Sequence, residues 1–103
     1  MNLDRIKILQ AFIKESPDDP FNHYALALEL MTEEPAQACQ ILLDLVKRKP
    51  DYLPAYYQLA LLLIDENRFE EAKVVLDNGI VLGRKQNDHK TIRELKTLLQ
   101  ELE

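Results

Sequence analysis

The sequence predicts an all-α fold, a helical solenoid of about six helices, and three observations carry that prediction. Strong helix formers (Leu, Ala, Glu, Lys, Gln and Arg) dominate a chain that holds only two glycines. The helix entrance PDDPFNHYALA at Pro17–Ala27 returns as PDYLPAYYQLA at Pro50–Ala60, 33 positions later. The echo extends beyond the prolines: Ile8 falls on Ile41, Leu9 on Leu42, Tyr24 on Tyr57, Leu26 and Ala27 on Leu59 and Ala60, and Leu30 on Leu63. A period in the thirties marks a stack of helical units, each burying its apolar face on its neighbours.

Punctuation residues set the elements. The first helix runs from about Leu3 to Glu15 and stops before Pro17. The second starts near Pro20, since proline suits a first turn, and ends near Thr32. Glu33, Glu34 and Pro35 open the third, with acidic residues at the positive end of the helix dipole. It runs to about Lys49, and Lys47, Arg48 and Lys49 suit its negative end. The fourth spans about Leu53–Glu66, and Asp65, Glu66 and Asn67 make the next turn. The fifth runs from about Phe69 to Leu82, with Gly83 as its C-cap. Asn87 or Asp88 caps a sixth helix over about His89–Leu102.

Length and composition bound the rest. A chain of 103 residues argues for a single domain spanning 1–103. Apolar residues at 47% and charged residues at 30% predict a globular fold rather than disorder. The net charge of -5 opposes non-specific nucleic-acid binding, which requires many phosphate-neutralising cations. The single cysteine, Cys39, has no intrachain disulfide partner and fits a reducing compartment. The N-terminus has no secretory pattern, and the longest apolar run, Leu59–Ile64, is far short of a membrane span. The expected location is the cytoplasm, with no membrane partner.

In this arrangement the residues resemble the tetratricopeptide repeat (TPR) family. In the second unit Tyr56 stands at the family's large aromatic position, Leu59 and Ala60 at its Leu–small pair, and Leu63 at its later large residue. Ala72, Leu76 and Pro50 match its small, large and terminal proline positions, while Gly79 takes a place usually held by Ala. The first unit matches with His23, Leu26, Ala27, Leu30, Ala38, Leu42 and Pro50. It departs in having a turn one residue shorter and His23 in place of the aromatic. The resemblance implies a right-handed α-solenoid of antiparallel helix pairs. Its units would be an N-terminal capping helix at 3–15, repeats at 20–49 and 53–83, and a C-terminal capping helix at 88–102. It also implies a concave groove, lined by the first helix of each pair, that binds peptide segments of partner proteins. Chaperone-binding members clamp an acidic C-terminal peptide with Lys, Asn and Arg. Here Tyr24, Leu28, Tyr57 and Leu61 occupy those positions, so that specificity is not implied.

Helical wheels supply an independent reading. On the fourth helix Tyr56, Leu59, Ala60 and Leu63 form one apolar stripe; Pro54, Tyr57, Leu61 and Ile64 form another, roughly 120° away. The second helix repeats this, with His23, Leu26, Ala27 and Leu30 on one stripe and Phe21, Tyr24, Leu28 and Met31 on the other. A helix on one core needs one stripe; two imply contacts on two sides. The first stripe is core, set against Ile41, Leu42, Leu45, Val75 and Leu76. The second gives the candidate peptide-binding groove: Phe21, Tyr24, Leu28, Tyr57 and Leu61. Aromatic anchors bury much area at low rotamer cost, which suits a binding surface. The competing structural reading has these side chains packing on one another, or forming a homodimer interface. On the sixth helix Ile92, Leu95, Leu98, Leu99 and Leu102 form a single stripe opposite Lys90, Arg93 and Lys96, as expected of a cap. The alternative is the first helix of a degenerate third unit, against which Lys96 stands after Leu95 where a small residue is expected. With Arg84 and Lys85 this end is basic, which reads as a solvated face or, more sharply, as a patch for an acidic partner or for head-to-tail self-association.

The sequence carries no recognisable catalytic chemistry. His23, on the packing stripe, reads as a core-edge histidine, His89 as a solvated first-turn residue and Cys39 as a small helix filler. These do not make a metal set, and no glycine-rich phosphate loop or triad can be assembled. The carboxylate pairs Asp18-Asp19, Glu33-Glu34 and Glu70-Glu71 all sit at helix starts, where acidic residues are expected anyway. The expectation is a non-enzymatic protein-interaction module with no cofactor, whose partner is a protein or peptide. RNA binding by helical repeats is a weaker alternative.

Overall fold

The computed structural model describes every residue from Met1 to Glu103. It contains six helices and no strand: α1 (Leu3–Glu15), α2 (Pro20–Leu30), α3 (Pro35–Arg48), α4 (Pro54–Asp65), α5 (Phe69–Lys85) and α6 (His89–Glu101). They fall into two compact units, Met1–Pro50 and Asp51–Glu103. In the first, α2 packs on both α1 and α3; in the second, α5 packs on both α4 and α6. No helix is long and apolar enough to cross a membrane.

Local chemistry explains where the helices begin. Asn2 caps α1 by accepting from the Arg5 amide at 3.0 Å, and Asp19 caps α2 by accepting from the Phe21 amide at 3.0 Å. Prolines occupy the first turn of α2, α3 and α4, where their missing N–H costs nothing.

Two helix ends share one device. Asn67 and Asn87 adopt left-handed φ values of 60° and 56°. After each of them a backbone amide reaches back five residues, from Arg68 to the Leu63 carbonyl and from Asp88 to the Gly83 carbonyl. This is a Schellman termination with Asn in the position most often held by Gly. The expectation that Gly83 caps α5 is therefore corrected: the helix continues to Lys85 and Gly83 is buried inside it. Glycine is present there because α6 crosses close by, as a Cβ on Gly83 would stand 2.8 Å from Ile92 Cγ1. The second helix is also shorter than expected, ending at Leu30 rather than Thr32.

The first stripe of each leading helix is core. Leu26, Ala27 and Leu30 of α2 are buried in the unit that also buries Ala38, Leu42 and Leu45 of α3. Leu59, Ala60 and Leu63 of α4 are buried in the unit that buries Ala72 and Leu76 of α5. Ile41 and Val75 are only half-buried. Removing an apolar side chain of this size from water stabilises by about 1.5–3 kcal/mol. Cys39 is buried, and no buried side-chain polar atom lacks a hydrogen-bond partner.

Candidate peptide-binding faces

Each unit leaves its second apolar stripe within reach of solvent. On α2, Phe21 is 56% exposed and Leu28 39%, while Tyr24 and Met31 are half-buried. On α4, Tyr57, Leu61 and Ile64 are half-buried and Pro54 is exposed. The contrast between adjacent tyrosines is sharp. Tyr56 points into the core of its unit, only 7% exposed, and a Cβ on Gly79 would stand 3.1 Å from its Cβ. Its phenol is held above the usual tyrosine range, first by burial and then by the nearby Asp51 carboxylate. Tyr57, one residue and about 100° further round the helix, lines an open cleft instead.

That cleft lies wholly in the second unit and has a volume of about 480 Å³. Tyr57 and Leu61 of α4 and Leu98 of α6 supply its apolar surface. Lys90, Arg93, Glu94 and Glu101 of α6 supply its charged surface, with Thr97 among them. The Thr97 hydroxyl donates to the Arg93 carbonyl at 2.9 Å. The entrance of α4 is fastened at the far end of α5 by Gln86, whose side-chain amide donates to the Asp51 carbonyl at 2.8 Å.

In the first unit the α2 face is braced by His23. Its Nε2 lies 2.7 Å from the Pro17 carbonyl and its Nδ1 lies 3.4 Å from Arg48 Nη2. A carbonyl only accepts, so Nε2 carries the proton and Nδ1 is the acceptor for the guanidinium. One ring thus ties the turn before α2 to the last turn of α3. This fits a half-buried histidine at the edge of the core. On the other side of α2, Glu29 holds Arg5 of α1 at 2.8 Å.

The five residues singled out in the sequence divide between the units: Phe21, Tyr24 and Leu28 on α2, Tyr57 and Leu61 on α4. What sequence reasoning did not place is α6 in this cleft. Lys90 and Arg93 read there as a solvated face or as part of a basic patch for an acidic partner; in the structure they wall the same cleft as Tyr57. The signal was available in the spacing. Pro20, Pro54 and His89 open their helices 34 and 35 residues apart, so α6 follows α4 by one repeat period.

Six helices, packed on their chain neighbours within each unit, with small residues at the close approaches, define an all-α helical-repeat protein. No protein-family model and no curated protein sequence matches the chain. Solved structures do. A tetratricopeptide repeat domain protein from Salinibacter ruber is 30% identical in its crystal structure, with a TM-score of 0.79, over 82% of this chain and 96% of that one. A solution structure of a tetratricopeptide repeat domain protein from the same organism gives 31% identity and a TM-score of 0.80, covering 85% of this chain and 90% of that one. The TPR2B domain of yeast Sti1, solved as a complex with pHsp70, has the same fold at 20% identity, with a TM-score of 0.86 over 94% of this chain and 78% of that one. The chain belongs to the tetratricopeptide repeat family.

Proposed function

We propose that this protein is a protein–protein interaction module that takes a partner segment on the second apolar stripe of its leading helices. The observation that carries this reading is the accessible aromatic stripe itself. Tyr57 and Leu61 open into a cleft, while the equivalent Tyr24 and Leu28 sit beside an exposed Phe21. Solvent-facing side chains of this size are costly to leave uncovered and bury much area when covered. The Sti1 domain supports the reading, since a protein of this fold is seen there holding a partner.

The test is selection from a random-peptide display library on immobilised protein, followed by NMR mapping of a retained peptide. Perturbed resonances at Tyr57, Leu61, Tyr24 and Leu28, with binding lost in Tyr57→Ala/Leu61→Ala, are the expected result. Enriched peptides that perturb other surfaces, or no enrichment at all, would overturn it. Sedimentation at several protein concentrations guards against self-association. A dimer converted by Tyr24→Asp/Tyr57→Asp into a folded monomer would assign the stripe to a homodimer.

A further inference from the structure

Each terminal helix is half of a repeat. By the 33-residue echo α1 stands on α3, with Leu9 on Leu42 and Phe12 on Leu45, so it is a trailing helix without a leading helix of its own among residues 1–103. A shift of 36 sets α6 on α4, with buried Ile92 on Tyr56, Leu95 on Leu59 and Leu98 on Leu62. It is a leading helix without a trailing one. The α6 of one copy and the α1 of a second are therefore the two halves of one further helix pair.

The complete pairs show what joins such halves. Ala27 of α2 and Ala38 of α3 have no exposed surface, and neither have Ala60 of α4 and Ala72 of α5. Side chains that stop at Cβ let two helix axes approach closely. The half-units keep the apolar residues of this face: Ile8 falls on Ile41, Ile92 on Tyr56 and Leu99 on Leu63. Ile8 and Phe12 are exposed and Leu99 is half-buried. The alanines are what changes. Arg5 falls on Ala38 and Lys96 on Ala60, and both are exposed. Arg5 is tied down to Glu29 of α2 at 2.8 Å.

We infer that Arg5 and Lys96 are the residues that keep copies of this chain from joining end to end through α6 and α1. In such a join α6 lies on the next copy's α1 as α2 lies on α3. The two cations then meet where the complete pair has Ala27 and Ala38. Their side chains wedge the helices apart, and closing the gap buries two like charges and strains the Arg5–Glu29 pair. The surrounding apolar residues supply the attraction, so these two side chains decide the outcome. The join is heterologous: it leaves one α1 and one α6 unused and can propagate from copy to copy. Neither Arg5 nor Lys96 belongs to the aromatic stripe of α2 and α4.

Sedimentation velocity over a concentration series tests this, because association follows mass action. The wild-type protein should not grow past a dimer at any concentration. Arg5→Ala combined with Lys96→Ala should grow past a dimer as concentration rises, and adding Phe12→Asp should stop that growth. Lys96→Glu changes one exposed residue and sets a carboxylate against Arg5. It should assemble at concentrations at least about tenfold below any at which the wild type does, and it serves if the double-alanine protein does not fold. A dimer made through the aromatic stripe stops at two chains and is lost in Tyr24→Asp/Tyr57→Asp, whereas end-joined chains survive those changes. Growth of the wild-type protein past a dimer, a folded variant of either kind that stays at the wild-type size, or growth indifferent to Phe12→Asp would each overturn the inference.

Discussion

Gly83 of α5 faces Ile92 of α6 so closely that the glycine's missing Cβ is what lets the two helices meet, at a would-be separation of 2.8 Å from Ile92 Cγ1. Two opposed effects follow for Gly83→Ala. Alanine favours a helix interior by about 1 kcal/mol over glycine. Overpacking a close contact costs about 1–3 kcal/mol. The blocking atom belongs to the rigid part of a β-branched side chain rather than a mobile tip, so overpacking wins. Urea unfolding should show Gly83→Ala less stable than wild type, and the same change neutral or stabilising in an Ile92→Ala background. A higher unfolding midpoint for Gly83→Ala alone would refute the close approach.

Tyr56 and Tyr57 should separate stability from binding. Tyr56→Ala empties a packed position and is expected to cost about 3–5 kcal/mol. Tyr57→Ala removes a half-buried side chain from an open cleft and should cost about 1 kcal/mol. Chemical denaturation of the two variants decides it; comparable losses would place Tyr57 in the core.

Tyr56 also predicts an alkaline loss of stability. Its folded pKa is raised, so the neutral phenol is favoured in the native state. The contribution is fully present below the ordinary value of 10.0 and is lost as pH rises through the folded value. Tyr56→Phe should flatten this part of the stability–pH curve. An unchanged alkaline slope would show that burial and Asp51 do not act on this ring.

At the acid side the relevant group is Asp88, the cap of α6. The Thr91 amide donates to it at 3.0 Å and the Thr91 hydroxyl at 2.8 Å, and these bonds hold its carboxyl below the usual value of 3.8. A depressed folded pKa contributes stability above the unfolded value and loses it as pH falls through the folded one. Below about pH 3.8 the unfolding midpoint should therefore fall, and Asp88→Asn should shallow that fall. Identical acid limbs for the two proteins would show that the cap does not act through its charge.

The repeat itself predicts unequal costs at equal register. Phe12 of α1 and Leu45 of α3 are 33 residues apart and occupy matching places, yet Phe12 is 47% exposed and Leu45 fully buried. Leu45→Ala should cost about 2–5 kcal/mol and Phe12→Ala less than about 1. Calorimetry on both variants checks it, and a large loss at Phe12 would mean that the residue is covered in solution.

Much of this architecture was legible in the chain. Prolines, acidic caps and apolar spacing place all six helices because these act within a few residues of where they stand. The core stripe of Leu26, Leu30, Leu59 and Leu63 was readable for the same reason: periodicity fixes which side chains share a face. The second stripe was readable as a stripe, with Tyr57 and Leu61 on it, but not the cleft it opens into.

What the sequence by itself determined is therefore the local order: the helices, their repeat, and the two apolar flanks of α2 and α4. Tertiary structure alone decided three things. It kept Gly83 inside α5, because the need for close approach to Ile92 is invisible from the residues around it. It left Phe12 exposed where Leu45 is buried, because burial depends on whether another helix lies against that face. It turned Lys90 and Arg93 into a wall opposite Tyr57, because a helix's own wheel states which residues lie together, while only packing states what they face.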